Sequence, residues 1–115
     1  MKIEKVREFV SEWNEEALLA DGFEEAIVGV CERFGMPPVV AYDREACIDI
    51  MVEEFLEDLG YKLSSEEQIP ENFLNEAYEQ AIEYFEYNVI GAGMGENTPV
   101  FMTFLPEELT TTEEG

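Results

Sequence analysis

Apolar residues recur at helical spacing in three stretches of this chain. Over 2–13, Ile3, Val6, Phe9, Val10 and Trp13 fall on one stripe and Glu4, Glu8 and Glu12 on another, which predicts an amphipathic helix. Over 43–59, Ile48, Met51, Val52, Phe55, Leu56 and Leu59 follow i, i+3, i+4, i+7, i+8 and i+11. Asp43 stands before them as an N-cap and Gly60 after them as a stop. From Pro70, well placed as a first helical residue, to about Tyr87, a third helix would bury Phe73, Leu74, Ala77, Ala81 and Phe85. Asn14 to Asp21 is a connection with Leu18 and Leu19 packed, 60–69 is a loop, and Asn88 to Pro99 is glycine-rich and irregular. Val100 to Phe104 reads as a strand.

Residues 22–35 carry two signals. Asp21 with Glu24 fits a capping box, and Gly35 followed by Pro37 fits a helix end. Against a helix, Ala26-Ile27-Val28-Gly29-Val30 is a short β-branched run, and Gly29 inside a helix would cost roughly 1 kcal/mol relative to Ala. Val39-Val40-Ala41-Tyr42 follows a Gly-Met-Pro-Pro turn, so a hairpin is favoured. The expected fold is α+β. It has an N-terminal helix, a β-hairpin, two antiparallel acidic helices and a C-terminal strand joining the hairpin; a mostly α fold with residues 22–34 helical is the alternative. One compact domain over 1–105 is expected, with 106–115 an acidic, frayed tail.

Charge changes this picture most. Lys and Arg together number 6, Asp and Glu 28, and His is absent, for a net charge of -22. The last basic residue is Lys62; the 53 residues after it hold 12 carboxylates and no cation. On a domain with an expected radius of gyration of about 13 Å, this makes a potential that repels nucleic acid and anionic membranes and attracts basic proteins. At 46% hydrophobic the chain is too apolar for a disordered acidic tail. Solubility alone asks for a net charge of only about 2–8 in a small domain. The acids are 24 Glu against 4 Asp, a helix-surface choice more than a general acidic coat. No apolar run approaches the roughly 20 residues of a membrane span, and the N-terminus is unlike a secretory signal.

The carboxylates are ordered. Asp49, Glu53 and Glu57 stand at i, i+4, i+8, with Glu54 and Asp58 beside them. Glu76, Glu79, Glu83 and Glu86 stand at i, i+3, i+7, i+10. Each set lies on one helix face, with an axial step of about 6 Å between i, i+4 neighbours. Like charges so placed destabilise a helix by roughly 0.2–0.5 kcal/mol per pair. Selection for stability alone would put Lys between them. A regular negative row has a spacing comparable to phosphates along a duplex backbone, so these seven residues are the candidate binding site. The bland reading is a pair of solvated helix faces.

Catalytic chemistry finds little support. Without His, Cys31 or Cys47 would need another base, and acidic surroundings raise a thiol pKa; core cysteine is the better reading, and two cysteines fit a reducing compartment. Two Cys and no His do not make a structural zinc site, no EF-hand spacing is present, and no cofactor is expected. Gly91-Ala92-Gly93-Met94-Gly95 lacks the GxGxxG spacing and a Lys, and Glu96 and Pro99 follow it where a phosphate loop needs a helix. Among 28 acids no pair stands out for a carboxylate-pair enzyme. Trp13, Tyr42, Tyr78, Tyr84 and Tyr87 are core by default, with one or two exposed Tyr as interface anchors.

Asp21-Gly22-Phe23-Glu24-Glu25-Ala26-Ile27-Val28-Gly29-Val30 leads into Pro37-Pro38-Val39-Val40-Ala41-Tyr42-Asp43. Later come Glu79-Gln80-Ala81-Ile82-Glu83-Tyr84-Phe85-Glu86-Tyr87-Asn88-Val89-Ile90-Gly91-Ala92 and Gly95-Glu96-Asn97-Thr98-Pro99-Val100-Phe101. This order of segments resembles a group of small acidic proteins encoded by tailed bacteriophages. No activity is assigned to that group, so it lends no site residues. The resemblance implies a phage origin and action in the host bacterial cytoplasm. In size and charge the chain is similar to phage DNA mimics that block restriction or CRISPR enzymes, by analogy alone. The expected function is inhibition of a basic nucleic-acid-binding host protein, with no direct contact to nucleic acid or membrane. The alternative is a phage interaction or assembly module that binds through an apolar patch, as a homodimer in one version.

Overall fold

The computed structural model describes residues 3–61 and 69–110. Helix α1 (Ile3–Trp13) is followed by a single 3-10 turn at Glu24–Ala26, strands β1 (Ile27–Arg33) and β2 (Met36–Asp43), and helices α2 (Arg44–Asp58) and α3 (Glu71–Tyr84). Strand β3 (Val100–Met102) and a one-turn helix α4 (Glu107–Thr110) close the described chain. The three strands lie in the order β1-β2-β3. β1 pairs antiparallel with β2, and β3 pairs parallel with β2. The fold is therefore α+β, with the C-terminal strand on the hairpin.

The ambiguous stretch 22–34 is turn and strand, not helix. β-branched residues at Ile27, Val28 and Val30 suit a strand, and Gly29 finds its use at a bulge. Ile27 faces Tyr42 and Gly29 faces Ala41, so β1 carries one extra residue there, and Gly29 adopts a φ of 158°. A second irregularity lies opposite Pro37 and Pro38, where β2 has the extra residue. Prolines are tolerated there because β3 pairs only with Ala41–Asp43, so this end of β2 has no second neighbour. The tip turns at Phe34-Gly35 with Gly35 at φ 80°.

β2 is the centre of the molecule. Val39, Val40, Ala41 and Tyr42 are all buried. Tyr42 stacks on Phe101 of β3 at 5.3 Å, Phe101 meets Phe85 edge-on at 5.1 Å, and Phe85 meets Phe23 edge-on at 6.3 Å. This aromatic chain joins the sheet to the helical layer, whose contribution is Cys47, Ile48, Met51, Val52, Leu56, Ala77 and Ala81.

Helix α2 is bounded as expected. The Asp43 carboxylate accepts from the Glu45 and Ala46 amides at 3.0 and 3.4 Å. At the far end Gly60, at φ 91°, donates to the Glu57 carbonyl and Tyr61 to the Leu56 carbonyl, the two bonds of a Schellman stop. Leu59 falls beyond the packed face and is exposed. Helix α3 starts one residue later than expected, with Pro70 as its N-cap, and continues beyond Tyr84 as a π-helical stretch over Phe85–Ile90. Gly91 ends it by donating to the Glu86 carbonyl; a Cβ at Gly91 would stand 2.7 Å from the Tyr87 carbonyl oxygen. Phe73, expected in the core, is 37% exposed because α2 covers the neighbouring Ala77–Ala81 line instead.

α1 departs furthest from its pattern. Only Val10 is buried; Phe9 and Trp13 are 52% and 47% exposed, since α1 rests on β2 over a narrower strip than its apolar stripe. Asn14 fastens its end, donating to the Pro38 carbonyl and the Asn97 side chain, both at 2.8 Å. The strand expected to reach Phe104 ends at Met102. The radius of gyration is 16.7 Å, over extents of 47 × 46 × 27 Å, so the molecule is more spread than a compact domain of its length.

Candidate acidic interface

All seven predicted carboxylates are exposed. On α2, Glu53 and Glu57 lie across from the buried face of Cys47, Ile48, Met51, Val52 and Leu56, and Asp49 lies at the edge of that face. Glu76, Glu79 and Glu83 lie on α3 across from Ala77 and Ala81, and Glu86 lies on the π-helical continuation. Each helix thus turns its apolar side inward and its acids outward, as the spacing requires.

The two rows do not merge. Arg44, at the start of α2, reaches Glu86 beyond the end of α3, whereas Phe55, Asp58 and Leu59, late in α2, line a hollow with Phe73, Glu76 and Ala77, early in α3. The helices are therefore antiparallel, and their seam has two flanks. On one, Asp49 sits with Ile48, Tyr78 and Ile82, and the Tyr78 hydroxyl donates to its carboxylate at 3.3 Å. On the other, Glu76 and Glu83 border Phe55 and Gln80. The seam separates Asp49 from Glu76 and Glu83.

Glu86 has a counter-cation. Arg44 donates to its carboxylate at 2.5 Å, and the same guanidinium lies 5.6 Å from the centre of the Phe85 ring. The pair spans 42 positions of sequence, so counting cations after Lys62 misses it. No other ion pair forms on these seven carboxylates among the described residues.

The acid pattern alone also missed Phe55, Leu59, Tyr84 and Tyr87, which line the Glu76–Glu83 flank. The available signal was the spacing of Phe73, Gln80, Tyr84 and Tyr87, at i, i+7, i+11 and i+14 beside the buried stripe.

Cys47 is fully buried, and burial pushes its thiol up to about 12, with the Asp43 charge adding to the shift. Such a thiol is inert as a nucleophile at neutral pH. Cys31 is half-buried, and neither cysteine is bridged. The Gly91–Gly95 segment forms a turn in which the Met94 amide donates to the Thr98 hydroxyl at 2.6 Å. Among the described residues no three His, Cys, Asp or Glu side chains gather as metal ligands, and no helix is long and apolar enough to cross a membrane. Comparison with protein families, curated proteins and solved structures finds no match to this chain.

Proposed function

We propose that this chain is a phage-encoded, non-enzymatic acidic protein that occupies the nucleic-acid site of a basic host protein, such as a restriction, CRISPR or transcription component. Its work lies in the host cytoplasm. The observation that carries this reading is the exposure of Asp49, Glu53, Glu57, Glu76, Glu79 and Glu83 at helical pitch, with no cation among the described residues paired to any of them. A protein that reads phosphates by charge meets carboxylates at similar intervals on this surface. Like-charge repulsion along each row lowers helix stability, and relief of that repulsion by a cationic surface favours binding.

The test is capture from bacterial lysate on the immobilised protein, eluted in salt steps, with duplex DNA as competitor. The expected result is a nucleic-acid-binding protein released at moderate salt and displaced by DNA, since screening contracts from about 10 Å at 0.1 M to about 3 Å at 1 M. The combined substitution Glu76→Lys, Glu79→Lys and Glu83→Lys should abolish capture and leave the circular dichroism unchanged. Retention of affinity in that variant, or capture of only abundant basic proteins at the lowest salt, overturns the reading.

A second reading, an interaction or assembly module that binds through apolar surface, is favoured by Phe9, Trp13 and the fully exposed Phe34 at the hairpin tip. Binding of that kind holds or strengthens as salt rises.

A further inference from the structure

We propose that the Phe55 flank of the α2–α3 seam is a docking groove for a basic amphipathic helix, which makes that helix the recognised element of the partner. This inference rests on the reading of the partner as a basic protein.

Two hollows of about 320 and 480 Å³ run along this flank and share Phe55 and Gln80, so they form one groove. Its apolar lining is unusually open to solvent for large side chains: Leu59 is 60% exposed, Tyr84 49% and Tyr87 78%. Among the described residues its charged lining is entirely acidic, from Asp58, Glu76 and Glu83. From Phe73 to Tyr87 the groove follows α3 for about 20 Å, which is close to four turns of a helix.

These features select one occupant. A third helix packs into the seam of an antiparallel pair by the ordinary ridge-and-groove geometry of helices. Its apolar side would cover Phe55, Leu59, Tyr84 and Tyr87, as a helix lies in a hydrophobic groove. Lys and Arg along its borders would meet Asp58, Glu76 and Glu83. Self-association through this flank would set carboxylates of one copy against carboxylates of another on molecules of charge -22. Nucleic acid and anionic lipid are repelled for the same reason. Apolar contact explains what the acid rows alone do not, namely why exposed aromatic rings accompany the carboxylates on this flank.

The test uses fluorescence anisotropy with a labelled Leu/Lys peptide about four helical turns long, its leucines at i, i+3, i+4 and i+7. The control peptide has the same composition in scrambled order, hence equal charge without an apolar face. The amphipathic peptide should bind about ten-fold more tightly than the control, and Tyr84→Ser with Tyr87→Ser should lower its affinity about ten-fold. Leu105→Ser with Leu109→Ser, which removes similarly exposed apolar surface near the end of the described chain, should leave affinity unchanged. Circular dichroism and urea unfolding confirm that each variant folds. Equal binding of both peptides, an unaffected Tyr84/Tyr87 variant, or loss in the Leu105/Leu109 variant overturns the groove. If both peptides bind equally and the Glu76/Glu79/Glu83 reversal abolishes it, the groove fails while the charge reading stands. If neither peptide binds at low salt, both fail.

Discussion

Tyr42 shows how one residue connects three parts of the chain. Its ring lies fully buried between β2 and Phe101, and its hydroxyl accepts the Ala20 amide at 2.7 Å. Tyr42→Phe keeps the ring and orphans that amide, so it should destabilise by about 1 kcal/mol in urea unfolding. Cys47 makes the alkaline limb of stability predictable. The unfolded thiol ionises at about 8.5, whereas the native thiol, held up by burial and by Asp43, stays protonated to about 12. Native protein then binds more protons than unfolded protein within that window. The stability this thiol contributes is therefore full below the window and falls as pH rises through it. Burial shifts Tyr42 upward too and acts in the same direction at higher pH. Urea unfolding should show a shallower alkaline decline for Cys47→Ala than for the wild type; an unchanged slope would remove Cys47 from this account. Sequence predicted a core cysteine but assigned its raised pKa to acidic surroundings, and burial is the larger cause.

At the scale of elements, what was legible is what is local. The ends of α2 could be read because Asp43 and Gly60 act on backbone groups within a few residues. Asp43→Ala should cost about 1 kcal/mol through the lost cap. Gly60→Ala should cost about 1 kcal/mol through a left-handed φ that an L side chain resists. Both are measurable as shifts of the urea midpoint at constant slope. Residues 22–34 satisfied helix and strand rules together. The pairing of Ile27 with Tyr42, a non-local contact, decided between them. The exposure of Phe9, Trp13 and Phe73 was hidden because periodicity reports which side chains share a face and not how much of that face is covered. A helix to about Tyr87 was legible, but neither the π-helical form of its end nor its reach to Ile90 had a signal in the residue pattern. The link between Arg44 and Glu86 depends on the antiparallel packing of two helices. Being half in solvent, it should be worth only about 0.2–1 kcal/mol, so Arg44→Ala should lower stability modestly and less so at high salt.

Over the whole molecule, charge and surface act together. The accessible surface is 8370 Å², roughly 30% above the value of about 6,400 Å² expected of a compact monomer of this mass. Sequence made the sign and size of the charge plain, and with it the class of partner proposed. It did not show that the acids divide between two flanks of a seam, because that depends on how α3 lies on α2. Self-repulsion at -22 predicts that sodium chloride raises the thermal midpoint. The three-site Lys reversal moves the net charge by two at each site, from -22 to -16, and its salt-induced rise should be smaller in a thermal scan.

The parallel pairing of β3 with β2 carries a consequence for biosynthesis. The hairpin can close as soon as its two strands leave the ribosome, yet the Ala41–Asp43 edge and the face of Tyr42 await Val100–Met102. Throughout the intervening synthesis of both acidic helices, the nascent chain displays an unpaired strand edge, the feature that most invites adventitious β-pairing. Its accumulating negative charge is present over the same interval. Neighbouring nascent copies on one message would thus repel each other during the period in which their open edges could join.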